Sequence, residues 1–102
     1  MLDTLKALCE LPGVSGREEA VRDFLLSKLD GVARCRVDGL GNLIAEKQGR
    51  CRAKKKVMVS AHMDEVGFLI THIEENGLLR FSTVGGIDPR VLFGRRVLIG
   101  EQ

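Results

Sequence analysis

The stretch Lys56-Val57-Met58-Val59-Ser60-Ala61-His62-Met63-Asp64-Glu65 decides how this chain is read. Lys56 to Ala61 is a nearly continuous apolar run, the pattern of a strand buried on both faces in the middle of an α/β sheet. His62-Met63-Asp64-Glu65 follows as an abrupt polar block at the carboxyl end of that strand. Open α/β sheets bind their ligands beyond the carboxyl ends of their strands. Side chains at i and i+2 project to the same side, so His62 and Asp64 reach one site or each other, while Glu65 points the other way. A metal-bound histidine usually donates its second ring N–H to a carboxylate or carbonyl, a role that suits Asp64. Two residues do not make a metal site, because catalytic zinc takes about three protein ligands and a water. The plain structural reading of His62 and Asp64 is a hydrogen-bonded pair at a strand end, and the residues by themselves leave both readings open. His72 reads as a half-exposed strand residue at another location.

Upstream, Leu2, Leu5, Leu8 and Leu11 recur at spacings of three and predict one apolar stripe on a short helix, which Pro12-Gly13 stops. Ser15-Gly16-Arg17-Glu18 has the form of a capping box, with Ser15 as N-cap and Glu18 reaching back. The helix it opens runs to about Leu29, with Val21, Phe24, Leu25 and Leu29 as its buried stripe and Asp30-Gly31 as its end. The period then changes. Val32 to Asp38 reads as a strand, Gly39 to Gly41 as a turn and Asn42 to Glu46 as the returning strand. Residues 49–56, GRCRAKKK, read as a solvated basic connection, with a docking patch for an acidic partner as the functional alternative.

Downstream, Val66 to Glu75 and Leu78 to Val84 read as two strands joined by a type I′ turn at Asn76-Gly77. Gly85-Gly86 breaks the ladder, Ile87-Asp88-Pro89 forms a loop, and Arg95 to Ile99 reads as one more strand. Residues 1–66 therefore read as α/β and residues 67–102 as all-β.

The 102 residues suffice for one small domain, at 44% hydrophobic and 29% charged. Trp and Tyr are absent and Phe is scarce, so Leu, Val and Ile must build the core. A net charge of +2, with no aromatic residues among the basic ones, argues against nucleic-acid and membrane partners. No apolar run approaches the ~20 residues of a membrane span, and the N-terminus lacks the layout of a signal peptide. Cys9, Cys35 and Cys51 are odd in number and without CxxC spacing, which suits reduced thiols in a cytoplasmic protein.

The segment VMVSAHMDEVGFLITHIEENGLLRFSTVGGIDPRVLFGRRVLIG resembles the glutamyl and deblocking aminopeptidase family, which includes the tetrahedral aminopeptidases. LKALCELPGVSGREEAVRDFL is similar to that family's opening helices, and DGLGNLIA also matches, so the resemblance covers essentially the whole chain. His-x-Asp by itself is shared across related peptidases, whereas AHMDEVGF followed by VGG and DPR is specific. The resemblance implies a longer, soluble, oligomeric enzyme that binds two divalent metal ions, zinc or cobalt, and cleaves N-terminal residues from peptides. It implies that His62 is a metal ligand and that Asp64, the catalytic candidate, orients it. The other ligands, the bridging Asp and the general-base Glu match no residue here. It also implies an α/β catalytic domain interrupted by a small β-barrel used in oligomer contacts. Residues 1–66 then form the N-terminal part of the catalytic domain and 67–102 the opening strands of the insert, with Val84-Gly85-Gly86 and Asp88-Pro89-Arg90 serving as turns. On this reading the chain alone is inactive and exposes apolar surface. The alternative readings are a non-catalytic folding or assembly module, and a half-site completed by a separate chain.

Overall fold

A computed structural model describes residues 1–51 and 55–100. Arg52, Ala53 and Lys54 of the basic connection, and Glu101 and Gln102, lie outside the described residues. The chain divides into two compact units, Met1–Asp64 and Glu65–Gln102.

The first unit opens with α1 (Leu2–Glu10), matching the leucine stripe, although no residue of it is fully buried. Leu2 and Leu5 are exposed, and Leu8 and Leu11 are half-buried. The chain leaves the helix at Leu11, which is extended and donates back to the Leu8 carbonyl, one residue before Pro12. Helix α2 (Glu19–Leu29) follows. Its predicted stripe is present: Val21 is buried and Phe24, Leu25 and Leu29 are half-buried. This face packs against the antiparallel hairpin of β1 (Arg34–Val37) and β2 (Leu43–Glu46), which gives the unit its small core.

The predicted capping box does not form. Glu18, not Ser15, is the N-cap of α2, and it caps without a side-chain bond. Glu18 Oε1 instead accepts from the Gly16 N–H at 2.6 Å. Ser15 sits inside a tight turn in which the Arg17 N–H donates to the Val14 carbonyl at 2.8 Å. A turn at residues 14–17 moves the helix start past the position that Ser15 would have to occupy.

The second correction concerns residues 56–61. They form no strand, and Val57, Met58 and Val59 are 89%, 90% and 90% exposed. A strand needs partners for its N–H and C=O groups and a layer on each buried face. Among the described residues the sheets are β1–β2 and a second hairpin, so this segment has neither. Among the described residues of 1–66 the expected buried central strand does not form, and the first unit combines two helices with one antiparallel strand pair.

The second unit is built on the antiparallel hairpin of β3 (Gly67–Ile73) and β4 (Leu79–Val84). The ring of Phe68 meets that of Phe81 edge-to-face, centroids 4.8 Å apart, as diagonal neighbours on one sheet face. The predicted type I′ turn is corrected: among the described residues no non-glycine residue, Asn76 included, has positive φ, and a type I′ turn needs it at both central positions. The connection is a three-residue loop, 75–77, closed by Gly77 N–H to Glu74 O at 2.9 Å and Glu74 N–H to Leu78 O at 2.8 Å, with Gly77 at φ +83°. Hairpin β1–β2 uses the same scheme at 39–41, with Gly41 N–H to Asp38 O and Asp38 N–H to Asn42 O, both 3.1 Å.

Past β4, the expected loop at Asp88-Pro89 winds into a short 3-10 turn, Pro89–Val91. Asp88 caps it by accepting from the Arg90 N–H at 3.0 Å and grips the Arg90 guanidinium, with Nη2 to Oδ2 at 2.6 Å. Arg95 to Ile99 is not a strand, and Val97, Leu98 and Ile99 are exposed. The reason is the same as at 56–61, since no described strand lies alongside it.

Candidate metal centre

His62 and Asp64 stand where the exposed run ends, at the carboxyl boundary of the first unit. The Nδ1 atom of His62 lies 2.9 Å from the backbone oxygen of Asp64 and 3.0 Å from its Oδ1. Carbonyl and carboxylate oxygens only accept, so Nδ1 carries the proton. In a neutral ring the lone pair is then on Nε2, the nitrogen left for a metal. The His62 side chain is 85% exposed, so the ring is open to an incoming ligand.

Asp64 is less exposed, at 41%. Its second oxygen, Oδ2, accepts from the Ser15 hydroxyl at 2.5 Å. That is the short range of a charge-assisted O–H···O⁻ bond. The Ser15 hydroxyl, with the His62 ring as a smaller cause, holds the Asp64 carboxyl below its ordinary value of 3.8 despite partial desolvation. Asp64 is therefore ionised at neutral pH and faces the His62 ring as a carboxylate.

Sequence reasoning missed Ser15 because it assigned the residue to a helix cap. The signal was Val14-Ser15-Gly16-Arg17 itself. A turn with positive φ at its third residue takes glycine there, and Gly16 has φ +86°. That leaves Ser15 at the second corner with its hydroxyl free of helix duty.

His72 lies in the second unit, on β3 opposite Arg80, with Nε2 3.8 Å from Glu74 Oε2. Arg80 also bonds Glu74, through Nε. His72 is thus an exposed strand residue beside Glu74, more open than the half-exposed position expected.

The donor set fits one corner of a metal centre. An accessible histidine with its Nδ1 proton on a carboxylate has the arrangement that metal-binding histidines use. Among the described residues, no three His, Cys, Asp or Glu side chains come together to hold an ion. No helix among them is long and apolar enough to cross a membrane.

The M42 glutamyl aminopeptidase family pattern matches residues 41–102. A lysyl aminopeptidase of Pyrococcus furiosus is 39% identical over 97 residues, which cover 93% of this chain and 27% of that protein. Among solved structures, the TET1 peptidase of Pyrococcus horikoshii, described as assembling into a tetrahedron or a large octahedral shell, superposes with a TM-score of 0.77. Its identity is 42%, covering 89% of this chain and 27% of that one. A Thermotoga maritima chain described as an endoglucanase superposes with a TM-score of 0.79 at 55% identity, covering 86% of this chain and 28% of that one. The chain thus spans less than a third of the length of these relatives. With the family pattern spanning more than half of its residues and motifs such as AHMDEVGF in place, this chain belongs to the M42 glutamyl aminopeptidase family.

Proposed function

We propose that the full-length protein is a metal-dependent aminopeptidase in which His62 is a metal ligand and Asp64 the carboxylate that sets its tautomer and orientation. The observation that carries this reading is the approach of His62 Nδ1 to two oxygens of Asp64, both acceptors, which puts the proton on Nδ1 and leaves Nε2 to the metal. Two divalent ions, zinc or cobalt, would supply Lewis acidity toward the scissile carbonyl and a water acidic enough to attack it. Asp64 keeps the ring in one tautomer and one orientation, and its negative charge makes Nε2 a stronger donor. The remaining ligands and the general base come from outside these 102 residues. The first unit then belongs to the catalytic domain and the second to the inserted, oligomer-forming β domain. A homo-oligomer acting on peptides in the cytoplasm completes the proposal, supported by the shells described for the TET1 peptidase.

The endoglucanase description of one relative names a different substrate class. Glycoside hydrolysis turns on paired carboxylates that serve as acid and nucleophile or base. A histidine tied to an aspartate in place of such a pair favours the peptidase reading. The test is hydrolysis of aminoacyl-p-nitroanilides and of carboxymethylcellulose by the full-length protein, before and after chelation and with Zn²⁺ or Co²⁺ restored. Anilide turnover that disappears with chelation and returns with metal is expected. Cellulose turnover, or anilide turnover indifferent to chelation, would overturn the reading. The 102-residue segment by itself is expected to hydrolyse neither.

A further inference from the structure

The exposed pair at His62 has a support that no motif reading assigns. Ser15 is distant from Asp64 in sequence, yet its hydroxyl donates to Asp64 Oδ2 at 2.5 Å while Oδ1 faces His62 Nδ1 at 3.0 Å. We infer that Ser15 is a positioning residue for metal binding: by anchoring Oδ2 it keeps Oδ1 on His62 and so keeps the imidazole presented to the metal. The inference rests on the metal-ligand reading of His62 given above.

Three features of the first unit make this contact a built one. The turn at Val14–Arg17, with Gly16 at φ +86°, directs Ser15 away from the helix it precedes, and α2 takes its cap from Glu18 instead. The hydroxyl therefore has no competing structural task. The neighbouring Gly13 is buried, and a Cβ built on it would lie 3.0 Å from Val21 Cγ2 and 3.5 Å from the Met63 carbonyl oxygen. The backbone at residue 13 is thus seated between the core residue of α2 and the segment that carries His62 and Asp64. Helix α2, anchored on the β1–β2 hairpin, in this way locates the turn, and the turn locates the carboxylate.

The physical need is clear from exposure. Asp64 is partly open to water and His62 almost wholly so, so burial restrains the ring little and the carboxylate only in part. A carboxylate with one bonded oxygen rotates freely about its last torsion, and each rotation releases the ring. Bonding both oxygens to different partners removes that freedom, as outer hydrogen bonds to a ligating residue do.

The test uses the full-length protein with Ser15→Val and Ser15→Thr, which differ from each other in little but the hydroxyl. Metal affinity is read by competition with a Zn²⁺ chelator, and the ligand field by the visible absorption of the Co²⁺ form. Ser15→Val is expected to weaken binding by about tenfold, the scale of one charge-assisted hydrogen bond to an outer carboxylate, and to alter the Co²⁺ bands. Ser15→Thr should restore both. In an Asp64→Asn background the Ser15→Val penalty should shrink toward nothing. Equal affinities for the Val and Thr variants would overturn the inference. So would an undiminished Val penalty in the Asp64→Asn background, since that marks a structural role unrelated to Asp64. Wild-type affinity in His62→Ala would overturn the metal-ligand reading itself. Loss in His62→Ala with no Ser15 effect would sink the Ser15 inference only.

Discussion

Residues 57–61 and residues 62–64 are adjacent in the chain and behave in opposite ways. The apolar run has the sequence of a buried strand and stands exposed, without a partner strand among the described residues. The polar tip has the sequence of a site and is already organised, its ring and carboxylate bonded to each other and to Ser15. The difference lies in what each needs. A strand interior depends on neighbours along both edges and both faces, and no strand among the described residues pairs with this run. A histidine–aspartate pair at i and i+2 needs only its own backbone and one turn of the same unit. Local pairing is thus in place where burial is not.

The largest expected effect breaks the comparison at the tip. His62→Ala should abolish metal-dependent hydrolysis by the full-length protein, measured as anilide turnover at saturating Co²⁺. Normal turnover would remove His62 from the site. Asp64→Asn should weaken metal affinity by roughly 10–100-fold while the fold, followed by circular dichroism, stays intact. An unchanged affinity would show that the carboxylate merely neighbours the ring.

The run itself gives a sharper contrast. In the isolated segment, Val57, Met58 and Val59 present apolar surface and unbonded backbone, so the segment should self-associate. Val59→Lys should reduce that association in light scattering. In the full-length protein, where the run is expected to be a covered strand, the same change should lower the melting temperature strongly. The two signs together would establish that the run is covered there. Improved behaviour in both would show that the run stays at the surface.

The smallest effect belongs to the hairpin turn that supports α2. The Asp38 carboxylate accepts from the N–H groups of Leu40 and Asn42 and from the Asn42 amide, and the Asn42 side chain is the main cause holding it below its ordinary value of 3.8. A carboxyl whose value is lowered by folding stabilises the fold while it is ionised in both states. That contribution is present above about pH 4 and is lost as the pH falls through the lowered value. Asp38→Ala should therefore melt slightly earlier than the wild type at pH 7, and the gap should close in strong acid. A gap independent of pH would assign the loss to packing.

The legible parts of the sequence are those that short-range physics decides. Both helices and the two hairpins follow from periodicity and turn residues, and His62 and Asp64 meet as expected although their segment is not a strand. The errors cluster where one residue type serves two purposes. Ser15 suits a helix cap and a turn corner equally, and the turn prevails because Gly16 accepts positive φ. Asn76-Gly77 suits a two-residue and a three-residue loop, and the longer one forms with Gly77 as its left-handed residue. Residues 56–61 and 95–99 carry strand composition, but composition cannot supply a pairing partner. Asp88 reads as a loop residue in the sequence, yet Pro89 behind it is the usual mark of a capped turn.

The central claim is that Asp64 fixes the His62 ring so that Nε2 binds metal. The most direct measurement is a crystal structure of the full-length protein loaded with Zn²⁺, with the ion located from its anomalous signal. Zinc is expected about 2.0–2.1 Å from His62 Nε2, with Nδ1 still bonded to Asp64. Zinc held elsewhere with His62 outside its coordination, or bound through Nδ1 with Asp64 displaced, would contradict the claim.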